Sequence, residues 1–225
     1  MRTLFLHAWE DVKVKLPEKE IAKLPKKLCL LTVIQFHDQI KSIQKALEKA
    51  GKKVLIPQTT HTFLQGHILG CNVEELKGDF EAFLYIGDGL FHPKALLMRN
   101  QKPVFAFNPL TSQFFEVDKK EVEAIQKKKK QALNAFYHAK EVGILITTKI
   151  GQARLPDAIK LKEKFKDKNF YFLLDNTIDF SKLEDFNFIQ CFVNTACPRL
   201  GYDDTVRTHR PLVEIDEILL QDRMY

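Results

Sequence analysis

Strand-sized apolar runs alternate along this chain with amphipathic segments of helical period, and that alternation leaves few folds open. The first complete unit runs from a strand over Leu28–Ile34 through a helix over Asp38–Lys49, closed by Gly51, to a strand over Val54–Ile56. A glycine just past the last turn suits a helix C-terminus. Further strands are expected over Ala82–Ile86 and Val104–Phe107, each followed by glycine or proline. After a long helix, Lys119 to Lys140, a second series begins: strand Gly143–Thr147, helix Pro156–Lys166, strands Phe170–Leu174 and Phe188–Val193, and helix Asp216–Leu220. Strand–helix–strand repeats of this kind build parallel sheets flanked by helices. The expected fold class is therefore α/β, as two similar small parallel-sheet modules, Rossmann-like or flavodoxin-like, over residues 24–118 and 119–225. Each series is too short for one large Rossmann sheet. Residues 1–23, a strand over Thr3–His7 and a charged, proline-containing linker, belong clearly to neither module.

Composition narrows the function classes. With 225 residues, 45% of them hydrophobic, the chain can bury a sizeable core. No apolar run approaches the roughly 18 residues of a membrane span, and no apolar signal core follows Arg2. A cytoplasmic home without membrane partners is expected. The four cysteines, at 29, 71, 191 and 197, lie far apart and form no CxxC pair, which argues against a disulfide framework and a zinc ribbon. Lys and Arg number 35 against 29 Asp and Glu, a balance of +6 that favours acidic partners. The run Lys127–Lys130 lies in the long helix, where it reads as a solvated face. No aromatic-flanked basic motif offers base stacking, so direct nucleic-acid binding is not expected.

Two thiols stand at strand-to-helix junctions. Cys197, in Asn194-Thr195-Ala196-Cys197-Pro198-Arg199, follows the apolar run Phe188–Val193. Open parallel sheets bind ligands outside the carboxyl ends of their strands. Pro198 can take the first position of a following helix, and a helix N-terminus favours a thiolate. The competing reading is a small buried hydrophobe at a strand end. Cys71 lies in Gln65-Gly66-His67-Ile68-Leu69-Gly70-Cys71-Asn72, where two glycines permit close approach to a ligand and Asn72 can cap a helix starting at Val73. Cys29 and Cys191 lie inside strands and read as core. His61 and His67 flank Cys71 without the paired spacing of a zinc site. Gly87, Gly89, His92 and Pro93 follow one strand, and Lys149, Gly151 and Gln152 follow another. These are either ligand-facing turns or ordinary βα connections. Lys149 is placed to meet a carboxylate.

The segments Thr148–Gln152 and Thr195–Arg199 resemble the third domain of the iron–sulfur diphthamide synthases, the 2-(3-amino-3-carboxypropyl)histidine synthases of archaea and eukaryotes. Leu69-Gly70-Cys71 and Ile86–Pro93 resemble that family's middle domain. The resemblance runs from Leu24 to Glu217 in the family's order. Asp88 stands where the family often has glycine, and the long helix is lysine-rich where an arginine pattern is usual.

The resemblance implies a three-domain architecture in which each domain offers one cysteine to a single 4Fe-4S cluster. Cys71 and Cys197 would be two of the three ligands. The first domain, with its Gly-Ala-Cys motif, has no counterpart here beyond Thr3–His7 as its tail. The open iron would hold S-adenosylmethionine for reductive cleavage to a 3-amino-3-carboxypropyl radical, which adds to a histidine of translation elongation factor 2. Gly87, Gly89, His92, Lys149, Gly151, Gln152 and Arg199 are the implied substrate-side residues; Arg199 meets the carboxylate or tunes the cluster, or else forms a surface ion pair. Two thiolates under-ligate a cluster, so the expectation is a synthase component completed by a first-domain protein or second synthase subunit, in a homo- or heterodimer. The alternative is a non-catalytic binding or scaffold subunit. Cys71 and Cys197 are expected to converge on an open, partly apolar cleft.

Overall fold

Strand β1 (Lys27–Thr32) is buried from Leu28 onward and β3 (Ala82–Ile86) throughout, the pattern of strands covered on both faces. The computed structural model describes Leu4 and residues 6–60, 62–70, 74–203 and 208–221, with the side chains of 202, 203, 220 and 221 outside that description. The chain divides into two compact units, Met1–Val122 and Glu123–Tyr225.

In the first unit β1 pairs in parallel with β2 (Lys53–Leu55) on one side and β3 on the other, and β3 pairs in parallel with β4 (Val104–Asn108). Helix α2 (Ile40–Lys49) makes the first crossover and α3 (Phe91–Arg99) connects β3 to β4. The expected strand to Ile34 stops at Thr32, because a 3-10 turn over Ile34–Gln39 leads into α2. Gly51 adopts φ +79°, and the Lys52 amide donates to the Leu47 carbonyl at 3.0 Å, closing α2 with a left-handed cap. An unexpected strand, β5 (Gln113–Glu116), lies antiparallel to β4 and completes the order β2-β1-β3-β4-β5. The Phe105 and Phe114 rings stack across that pair at 5.9 Å.

The stretch before Leu24 corrects the linker reading. It contains α1 (Glu18–Lys23), whose Ile21 is buried with Leu24 in the first core, and Val12, Val14 and Leu16 pack on the same core. The Gln39 side chain pins the segment, donating to the Val12 carbonyl at 2.8 Å and accepting from the Val14 amide at 2.9 Å. Of the expected strand Thr3–His7, Thr3 and Phe5 lie outside the described residues, while Leu4, Leu6 and His7 form no regular element. The helix expected from Val73 is absent over Glu74–Lys77. The Asn100 side chain ties down that stretch, its Oδ1 accepting from the Leu76 amide at 2.9 Å.

The second unit carries β6 (Glu141–Thr147), β7 (Asn169–Asp175), β8 (Cys191–Asn194) and β9 (Leu212–Glu214), all parallel in the order β7-β6-β8-β9. Strand β8 begins three residues later than expected, and Phe188 is 47% exposed. The three-residue β9 was not foreseen. Helix α4 (Lys119–His138) spans the division between units, and α5 (Leu155–Lys164), α6 (Arg199–Asp203) and α7 (Ile215–Gln221) complete the unit. Phe136 of α4 is fully buried and meets Phe165 edge-on at 5.2 Å. The Lys168 ammonium satisfies the carbonyls at the end of α4, donating to Tyr137 at 2.9 Å and Ala139 at 2.7 Å.

Gly143, mid-strand in β6, shows how closely this sheet is covered: a Cβ there would stand 2.7 Å from Phe192 Cδ1 and 2.9 Å from Ile189 Cδ1. Gly143→Ala should therefore destabilise the second unit by about 1–3 kcal/mol through overpacking. A lowered urea midpoint checks this, and a wild-type midpoint would show that the two side chains give way freely.

Candidate metal centre

The crossovers place a switch point in each sheet, between β1 and β3 in the first and between β6 and β8 in the second. Ligands of open α/β sheets bind outside the carboxyl ends of strands at such points.

In the second unit β8 ends at Asn194, whose side chain organises the loop that follows. Its Oδ1 accepts from the Ala196 amide at 2.9 Å, and its Nδ2 donates to the Cys197 carbonyl and to both carboxyl oxygens of Glu214, each at 3.0 Å. Thr195 ties the same loop to β6, donating from N and Oγ1 to the Leu145 carbonyl at 3.1 and 2.8 Å. Cys197 emerges half-buried from this bonded loop. Cys29 and Cys191 are fully buried, and burial pushes both thiols up to about 12. Iron–sulfur ligation needs thiolate, so Cys197 fits a cluster and the two strand cysteines do not. The helix after Pro198 starts at Arg199 and is described as far as Asp203.

The Lys149–Gln152 loop leaves β6 beside this one. The Lys149 amide donates to Thr147 Oγ1 at 3.2 Å, the Gln152 amide to the Lys149 carbonyl at 3.1 Å, and Gly151 turns at φ +81° with open space around it. The Lys149 side chain is exposed, as is that of Arg199. Cys197, Arg199, Lys149, Gly151 and Gln152 thus share the carboxyl edge of one sheet.

In the first unit Cys71 lies outside the described residues, together with His61, Asn72 and Val73. The expected convergence of Cys71 with Cys197 is accordingly outside the description as well. The approach to Cys71 is described. Thr32, the last residue of β1, donates from its amide to Gly66 at 2.7 Å and accepts from the Ile68 amide at 3.0 Å, so this loop pairs across the strand's carboxyl end. A Cβ on Gly70 would collide with the Phe91 ring, whose Cδ1 would be 2.7 Å away. The loop therefore reaches the amino end of α3.

The turn before α3 is internally bonded. The Gly87 amide donates to the Phe107 carbonyl at 3.0 Å, and the Gly89 amide to Asp88 Oδ1 at 2.8 Å, an oxygen that also accepts from Asn108 at 2.7 Å. His92 stacks on Tyr85 at 5.7 Å, with its Nδ1 3.4 Å from the Tyr85 hydroxyl. A cavity of about 570 Å³ opens beside this turn, bordered by Asp88, Leu90, Asn108, Phe115 and the Lys94–Glu121 ion pair. Among the described residues no three His, Cys, Asp or Glu side chains gather into a metal site, and no helix is long and apolar enough to cross a membrane.

Over residues 4–222 the sequence matches the family described as "Putative diphthamide synthesis protein". The chain belongs to that family. It is 32% identical to the 2-(3-amino-3-carboxypropyl)histidine synthase of Pyrococcus horikoshii, an alignment covering 96% of this chain and 64% of the relative. The synthase of the same name from Methanocaldococcus jannaschii is 32% identical over 81% of this chain and 56% of its own length. The crystal structure of Dph2 from Pyrococcus horikoshii superposes with a TM-score of 0.80 at 29% identity, covering 94% of this chain and 63% of that one. A second structure of that protein, with a 4Fe-4S cluster, gives 0.76 at 30% identity over 90% of this chain and 58% of that one. The chain thus spans less than two thirds of the length of these relatives.

Sequence reasoning missed Glu214, which burial pushes up to about 8; the Asn194 hydrogen bond and Lys129 favour its charged form, while Glu217 and Asp216 oppose it. An ordinary glutamate titrates near 4.5. Folding therefore takes up a proton between these values, and stability should fall as pH rises from 4.5 to about 8, then level off. Urea midpoints across that range should lose much of this slope in Glu214→Gln. An unchanged slope would mean that other groups set it.

Proposed function

We propose that this chain is a component of a 4Fe-4S, S-adenosylmethionine-dependent diphthamide synthase that transfers a 3-amino-3-carboxypropyl group to a histidine of translation elongation factor 2. The observation carrying this reading is the setting of Cys197, a half-buried residue on a loop hydrogen-bonded through Asn194 and Thr195, at the carboxyl edge of a parallel sheet. The cluster-bearing Dph2 relative supports the choice of cofactor. Cys197 and Cys71 provide two thiolates, and a first-domain protein or second synthase subunit provides the third. When bound, the cluster supplies the electron for reductive cleavage of S-adenosylmethionine. The residues of this chain hold and orient. Lys149 and Arg199 offer cationic heads at the carboxyl edge of the second sheet to the substrate carboxylate. Gly151 and Gln152 shape the loop beside them, and in the first unit Gly87 and Gly89 form the turn that leads to His92 at the start of α3. The translation factor as substrate places the work in the cytoplasm.

Anaerobic reconstitution of the chain, alone and with a candidate first-domain protein, tests the proposal. About four irons per complex, with broad charge-transfer absorption in the mixture only, are expected. Cys197→Ala should abolish both cluster assembly and modification of elongation factor 2. Cys191→Ala should keep the cluster and cost about 1 kcal/mol of packing. No cluster in either sample would leave a binding or scaffold subunit, and full activity after Cys197→Ala would remove that thiol from the chemistry.

A further inference from the structure

We infer that Glu214 is a positioning residue for Cys197: through the Asn194 amide, its carboxyl group fixes the loop that presents the thiol. The inference takes the importance of that thiol from the proposed function, but its structural content stands apart.

The orientation of the Asn194 amide is dictated by its neighbours. The Ala196 amide can only donate and the Cys197 carbonyl can only accept, so Oδ1 must face the first and Nδ2 the second. One Nδ2 hydrogen is thereby committed to Cys197, and the other points at Glu214. Both residues are buried, Asn194 completely. Removing the Glu214 acceptor would leave a buried amide hydrogen without a partner, and the amide can recover one only by turning away from Cys197. The carboxyl group is also held from behind. At Gly201, in α6, a Cβ would collide with Glu214 Oε1 and would stand 3.4 Å from its Cδ. Glycine at 201 is what lets the carboxyl reach Asn194, so α6, β9 and the Cys197 loop are fastened through one side chain. Lys129 is paired with Glu217 at 2.6 Å, while both Glu214 carboxyl oxygens accept from Asn194 at 3.0 Å. Burial keeps the acid mainly neutral near pH 7, so glutamine reproduces both its shape and its acceptor.

The test reads the thiol directly, without cluster or turnover. The full chain is treated with limiting iodoacetamide, and alkylation of each cysteine is followed by peptide mass spectrometry in the wild type, Glu214→Gln, Glu214→Asp and Gly201→Ala. Glu214→Asp withdraws the acceptor by one methylene, and Gly201→Ala displaces the carboxyl without removing it. Both should change the Cys197 rate about tenfold, as expected when a local opening equilibrium loses one buried hydrogen bond. Glu214→Gln should match the wild type, and Cys29 and Cys191 should stay protected in every variant. A wild-type Cys197 rate in both Glu214→Asp and Gly201→Ala overturns the inference, as does a Glu214→Gln rate equal to that of Glu214→Asp. If Cys191 is unmasked in one of the two displacing variants, that variant has unfolded and the other decides; unmasking in both shows Glu214 to be a folding residue and overturns the inference too. Failed reconstitution with altered labelling would sink the proposed function and leave the positioning role intact.

Discussion

Parallel pairing is the constraint from which the rest of this structure follows. A parallel neighbour can be reached only by carrying the chain back across the sheet, which calls for long connections, several of them helical here, and puts the carboxyl ends of the parallel strands on one edge. With β1 between β2 and β3, and β6 between β7 and β8, each sheet has a place where successive loops depart to opposite sides. Among the described residues, Gly87–Pro93 follows β3, Thr148–Gln152 follows β6 and Thr195–Arg199 follows β8, all strands that border those places. Their position owes nothing to local sequence attraction; the winding sets it, because a switch point is where neighbouring loops part and leave a crevice.

A loop at such an edge must satisfy its own polar groups where solvent is scarce. Thr32 and Thr195 do this in parallel ways, each sending a hydroxyl hydrogen to the end of a neighbouring strand, to Ile86 at 2.8 Å and to Leu145 at 2.8 Å. Asn194 does it with both ends of its amide. The outcome is a loop whose backbone is committed to the sheet while the Cys197 side chain is left for something else. The two core cysteines show the opposite balance, since their strands bury the side chain and leave no route to a ligand.

Much of this was legible in the sequence, for a definite reason. Strands buried on both faces need unbroken apolar runs, and Leu28–Leu31, Ala82–Ile86 and Ile144–Ile146 announce themselves that way. The separation of Cys197 from Cys29 and Cys191 was readable for the same reason, because only Cys197 lies past the end of its run. The short edge strands were not readable. Gln113–Glu116 and Leu212–Glu214 are strands because a neighbour offers them a ladder, and nothing within three or four residues encodes that. The segment before Leu24 looked like a charged linker because its apolar residues alternate with lysines, yet that alternation packs Val12, Val14 and Leu16, partly buried, against the first core. Glu214 was hidden in an acidic stretch that reads as a helix start. Its partner, Asn194, lies 20 residues away, and only the pairing of β8 with β9 brings them together.

Strand β5 has a consequence for the whole plan of the chain. A reversed strand at the end of a parallel series closes that side to further growth, since a right-handed crossover delivers its strand alongside a parallel neighbour and β5 is not one. The chain beyond Glu116 could not add a sixth strand in step with the others, and it begins a fresh sheet at Glu141. Four residues of hairpin arm thus act as punctuation, so that the polypeptide offers two short carboxyl margins where uninterrupted winding would have given one long one.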